Sequence, residues 1–290
     1  MTSKVVPLSV AVNLALMLSF LIMGCASSSS SDEPGLLEQA QAAKEAQRLD
    51  EARPLAEQAL EEEYREGETK RILAEIHRRM AAEKLSQGDA AGAHASFLDA
   101  ADIEPTTRLR GSDLIAAFDA GQQAGLADDQ LLELALRAIE HIPHDPELRR
   151  HAARLAEDLG DDHTAAVHYQ WIVSALPDDE GAAFRLGIVY LAIDRPADAA
   201  AVLDRVYRED PENIQAALNL AEAYAESDRF YAAQELMELL LDQFPDHPAV
   251  LRQYADLEER HGDRHRARQL RQRAIDATPG IEEREMRPLR

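Results

Sequence analysis

Small and apolar residues recur along this chain in a pattern that copies itself. Leu186-Gly187-x-x-Tyr190 is followed by Ala199, Leu203, Val206 and Pro211. One interval later come Leu220-Ala221-x-x-Tyr224, Ala233, Met237, Leu240 and Pro245. The interval is 34 residues, and Pro143, Pro177, Pro211, Pro245 and Pro279 all keep it. Proline cannot continue a helix, so each one closes a helical segment. Within an interval the pattern predicts two helices. Gly187 is expected opposite Ala199, Ala221 opposite Ala233 and Ala153 opposite Ala165, which lets paired helices approach closely. Tyr190, Leu203, Tyr224 and Met237 are large enough to fill the groove between successive pairs. One pair cannot bury its apolar face alone, so stability is shared between neighbours.

The spacing and these residues together resemble the tetratricopeptide repeat. The resemblance implies an all-α fold, a right-handed superhelical solenoid of about seven helix-turn-helix units spanning residues 37–281. A degenerate unit is expected at 37–66, where Ala52, Ala56 and Ala59-Leu60 look like a second helix without a closing proline. Units are then expected at about 74–107, 112–145, 146–179, 180–213, 214–247 and 248–281, with a short tail at 282–290. The unit at 112–145 departs most, with Asp119 and Leu131 at the close-contact positions, and it follows a four-residue insertion, Arg108 to Gly111. Acidic pairs at Asp128-Asp129, Asp161-Asp162 and Asp178-Asp179 are read as helix caps rather than cation sites, because carboxylates accept from the free N–H groups of a helix start.

In proteins of this repeat the first helix of each unit lines a concave surface. For the unit at 180–213 the lining positions fall on Gly181, Phe184, Ile188 and Leu191, an apolar strip. Arg150 and Arg154 stand on one side, and Leu218 with Glu222 on the other. An apolar strip between charged rims suits a protein-binding groove, whereas the same stripe could pack against adjacent helices as core. The last unit is rich in arginine, including Arg260, Arg264, Arg268 and Arg271. That cluster reads either as the polar cap a solenoid end requires or as a basic patch for an acidic partner or an anionic wall polymer.

Ahead of the repeats, Lys4 precedes an apolar run from Val5 to Met23 that ends in Leu21-Ile22-Met23-Gly24-Cys25. The run resembles a bacterial lipoprotein signal peptide, residues 1–24, with Cys25 as the lipid acceptor. Its alternatives are an uncleaved signal anchor or an ordinary secretory signal. Residues 25–36 form a Ser-rich tether whose ten flexible residues from Ala26 to Gly35 span roughly 16–19 Å. With Ala26 after Cys25, the resemblance implies a lipid-anchored envelope protein, in the outer membrane facing the periplasm rather than the inner membrane. Cys25 is the single cysteine, so no internal disulfide forms.

Composition narrows the function classes. The formal charge of -23 repels nucleic acid and anionic head groups, so no nucleic-acid partner is expected. No phosphate-binding glycine loop, HExxH, GxSxG or cysteine nucleophile occurs. His261 and His265 flank Gly262-Asp263 at an inter-helix turn and are not expected to share a face, so no metal site is assigned. No enzyme activity and no cofactor are expected. The sequence therefore reads as a membrane-anchored scaffold for other envelope proteins, aiding assembly of a pilus, secretion or outer-membrane complex. The rival is an adaptor for cell-wall enzymes or wall polymer, contacted through the arginine-rich unit.

Overall fold

A computed structural model describes residues 34–62, 64–261 and 263–277. The signal peptide, Cys25, most of the Ser-rich tether and the 282–290 tail lie outside the described residues. Among the described residues the chain is helical throughout, in fourteen helices. They are α1 (Leu36–Glu45), α2 (Leu49–Glu61), α3 (Glu66–Ser86), α4 (Ala90–Ile103), α5 (Thr107–Ala124), α6 (Asp128–His141) and α7 (Pro146–Asp158). Then follow α8 (Asp162–Ala175), α9 (Glu180–Ala192), α10 (Pro196–Glu209), α11 (Ile214–Glu226), α12 (Phe230–Gln243), α13 (Pro248–His261) and α14 (Arg264–Asp276). Each helix packs on the next, and the first helices of some units also touch, as α1 does α3, α9 does α11 and α11 does α13. This is a solenoid of seven helix pairs, the architecture the repeat implied.

Two features lengthen the early units. The helix α3 begins at Glu66, well before the expected unit start at 74. The Arg108–Gly111 insertion forms an extra turn at the start of α5 rather than a loop. Inserted chain that continues a helix keeps its backbone hydrogen bonds satisfied, which a buried loop would not.

Caps follow the repeat. At the entry to the first helix of a unit, Asp145, Asp179 and Asn213 accept from the N–H groups of Leu148, Ala182 and Ala216 at 2.9–3.0 Å. At the turn inside a unit, Asp89, Asp161 and Asp263 do the same for the second helix. At Asp128-Asp129 the carboxylates do not hold the N-cap position, although Asp129 accepts from the Gln130 N–H of the first turn at 2.9 Å. Ala127 holds the N-cap position, and the two carboxylates sit in the first turn of α6, where they face the helix dipole.

The close contacts also differ in detail from the sequence reading. The atoms nearest to where a Gly187 side chain would be belong to Leu203 on α10, not to Ala199. In the divergent unit Asp119 is exposed, and Gly121 supplies the space beside Leu131.

The core is not one continuous body. A large cluster runs from Ala101 to Ala274, and a separate one joins α1, α2 and the first half of α3, from Leu37 to Ile76. Between them lie a small apolar cluster of Ala81, Ala93 and Ala120 and a set of polar contacts. Arg78 donates to both oxygens of Asp113 at 2.7 and 2.8 Å and also to Glu104. Glu104 is fully buried and accepts from the Thr106 N–H at 3.0 Å. Lys84 donates to Ser96 at 2.8 Å, and His94 bonds the Ala117 carbonyl oxygen at 2.8 Å.

Candidate functional site

The helix α9 carries Gly181, Gly187 and several β-branched or aromatic residues, so the Asp179 cap and packing hold it rather than propensity, and it turns two faces to different surroundings. Leu186, Val189 and Tyr190 are buried against the neighbouring helices. Phe184, Ile188 and Leu191 are half-buried, one turn apart along the other face. They are not equivalent. Phe184 packs against the main core and also against the small cluster of Ala183, Val206 and Ala216. Leu191 packs against the main core. Ile188 is half-buried without joining any of these clusters. Leu218, expected beside them on α11, is a core residue only 5% exposed, and its carbonyl oxygen accepts from Gln253 at 2.8 Å.

The charged side chains around this strip divide into bound and free. Arg150 donates to Asp179 at 2.7 Å, tying α7 to the cap of α9. Burial pushes the Asp179 carboxyl up, but the bonds from Arg150 and from the Ala182 N–H outweigh it and hold the group below the usual range. Arg185 donates to Glu157 at 3.0 Å, and Glu157 also accepts from the Tyr169 hydroxyl at 3.0 Å. The second arginine expected at the rim, Arg154, is exposed and makes no ion pair among the described residues. On the other side Glu222 and Glu226 of α11 and Asp194 beyond α9 also lack ion pairs there. The Glu226 carboxylate is exposed, yet desolvation by the surrounding protein raises its pKa. Repulsion from Glu222 adds to that, Arg260 opposes it and Asp194 adds to it again. The sequence reading named Glu222 but missed Glu226 and Asp194, which reach the strip only once α9 and α11 lie side by side.

The arginine-rich unit is also mixed. Arg271 is engaged inside its own unit, by Asp256 at 2.8 Å and by Glu259. Arg266 contacts Glu238 and Glu258, and Arg273 donates to the Pro245 carbonyl oxygen at 2.7 Å. Arg260, Arg264 and Arg268 are exposed and carry no ion pair among the described residues. Beside Arg260, His261 stacks on Phe230 with ring centroids 3.9 Å apart, and the adjacent Tyr231 is 80% exposed. His265 lies on α14 and contacts Gln269, so His261 and His265 point into different surroundings. No group of three or more ligating side chains that could hold a metal occurs among the described residues. No helix among them is long and apolar enough to cross a membrane.

Helix pairs in series, glycine or small residues at the crossings and a strip on the first-helix face define a tetratricopeptide-type solenoid. Residues 150–214 and 190–257 match two family models, each described as tetratricopeptide repeat. The matched residues, 150–257, include the α9 strip and its flanks but not the arginines of α14. Among solved structures, MamA (41-end) from Desulfovibrio magneticus RS-1 superposes with a TM-score of 0.50 at 20% identity, covering 61% of this chain and 96% of its own. A tetratricopeptide repeat protein from Parabacteroides merdae ATCC 43184 gives 0.49 at 17% identity, covering 72% of this chain and 81% of its own. At such identity the MamA likeness shows the fold alone. No curated protein matches the chain.

Proposed function

We propose that this protein is a scaffold of the bacterial cell envelope that holds another envelope protein in the concave strip of α9, while acylated Cys25 anchors it to a membrane. The observation that carries the reading is Ile188: an aliphatic side chain left half-buried and outside the core, between flanking apolar residues and a charged border. An apolar centre within a polar rim is the anatomy of a protein interface. The lipid acceptor supports the location, because several acyl chains together give a stable anchor at about 0.8 kcal/mol per buried CH₂. Ala26 after the acceptor favours the outer membrane, facing the periplasm.

The full-length protein, used as bait in a detergent extract of its own envelope, should retain one envelope protein that the Ile188→Glu variant loses at unchanged melting temperature. Equal capture by both baits would remove the strip from the account. In cells, Cys25→Ser should abolish incorporation of labelled palmitate and free the chain from membranes. Persistent labelling would contradict the anchor.

A second reading rests on Arg260, Arg264 and Arg268, which make no ion pair among the described residues. As an adaptor for cell-wall enzymes or wall polymer, the protein would bind purified peptidoglycan in a salt-sensitive manner. Arg264→Glu with Arg268→Glu is the variant to use, since Arg271 is held inside its unit.

A further inference from the structure

Some charges along the α9 strip are already neutralised within the fold, and the remainder are not balanced. On the α7 side Arg150 is held by Asp179 and Arg185 by Glu157. Arg154 makes no ion pair among the described residues, and neither does Arg149, which lies over the Trp171 ring and donates to the Pro143 carbonyl oxygen. On the α11 side Glu222, Glu226 and Asp194 have no ion pair among the described residues. The surplus next to the apolar residues is therefore negative. Glu222 occupies on α11 the place that Ile188 occupies on α9, one repeat earlier, and these two helices are in contact. Asp194 follows α9 directly, so the carboxylates border the end of the strip at Leu191. Arg260, in the next unit, lies close enough to Glu226 to lower its pKa. It is itself exposed and leaves Glu222 and Asp194 uncompensated. The raised pKa of Glu226 is what mutual repulsion and a poorly solvated carboxylate produce.

Resting on the groove reading above, we infer that the occupant of the α9 strip is a cationic amphipathic helix, seated with its apolar face on Phe184, Ile188 and Leu191 and with lysine or arginine against Glu222, Glu226 and Asp194. The spacing of the strip, four and then three residues, is that of one helix face, and a partner helix with apolar residues at matching spacing would mesh with it. A basic edge on the partner would relieve repulsion that the fold leaves unrelieved, and the net charge of -23 would steer such a segment towards the protein.

Two fluorescent peptides test this on the full-length protein in detergent: an amphipathic helix with leucines on one face and lysines along its edges, and the same peptide with glutamate for every lysine. Anisotropy should show the cationic peptide binding at least about tenfold more tightly, a difference of about 1.4 kcal/mol, with affinity falling as salt rises. Glu222→Gln with Glu226→Gln should abolish the preference without disturbing the fold, and Glu222→Lys with Glu226→Lys should invert it. If both peptides bind equally and both are lost with Ile188→Glu, the groove stands and its cationic preference is overturned. If cationic binding is indifferent to Ile188→Glu, the attraction is a general charge effect and the inference fails. If neither peptide binds, the inference and the groove reading fall together.

Discussion

At position 187 a hydrogen is the largest side chain that fits. A methyl group there would stand 2.5 Å from Leu203 Cγ and 2.6 Å from its Cδ2, and Leu203 is fully buried with nowhere to move. Mid-helix glycine is intrinsically unfavourable by about 1 kcal/mol relative to alanine, so its presence reports the crossing distance. Gly187→Ala gains that propensity but overpacks the α9–α10 contact. Overpacking of this kind costs about 1–3 kcal/mol, and urea unfolding should show a net loss of stability. The opposite sign is expected at Asp228. It holds φ at 60°, the left-handed conformation that Gly88 and Gly160 adopt in other units and that glycine tolerates best. Asp228→Gly should therefore leave stability unchanged or raise it by a few tenths of a kcal/mol.

Along the elements, one residue often serves two helices. Asp179 caps α9 and receives Arg150 from α7, so Asp179→Ala should cost about 1–2 kcal/mol, more than the removal of the cap alone at Asp161. On α9 the two neighbouring apolar positions should behave differently. Phe184→Ala should cost roughly 2–3 kcal/mol of stability, seen as a clearly lower denaturation midpoint, because the ring packs on two clusters. Ile188→Ala should change the midpoint little and weaken partner binding. Sequence spacing made the helix pairs legible because proline and small residues must recur wherever helices end and cross. It also marked α9 as apolar on its concave side. It did not separate Phe184 from Ile188, since both sit at lining positions and only the packing of Val202, Val206 and Ala216 decides which is core. Nor did it expose the acidic border, because Asp194 and Glu226 belong to different repeats and meet only through the stacking of α9 on α11.

At the scale of the solenoid, the packing of α3 on α5 contains a polar seam beside the small apolar cluster of Ala81, Ala93 and Ala120. Arg78 there neutralises two buried carboxylates, Glu104 and Asp113. Removing one member of a buried ion cluster strands the others, at about 3–5 kcal/mol. Arg78→Met should therefore loosen α1–α3 from the units that follow, which calorimetry would record as a second, earlier transition. Burial pushes the Glu104 carboxyl up, but its bonds from Arg78 and Thr106 outweigh that and leave it below the ordinary range. A carboxyl depressed in the folded state contributes stability above its unfolded value, about pH 4.3, and loses it as pH falls through the folded one. Acid should loosen this seam below about pH 4, and Glu104→Gln should blunt that response. Such a break fits a one-dimensional architecture in which each unit is held only by its neighbours.

Whether a partner sits on the α9 strip is read by a photoactivatable amino acid placed singly at position 188 and, in a second strain, at position 167. Val167 on α8 is 61% exposed and outside the strip, so it reports chance encounters. Ultraviolet irradiation of living cells should give one discrete cross-linked species from position 188 and none from 167. The same adducts from both positions, or none from 188 while the protein remains folded and membrane-bound, would contradict the account.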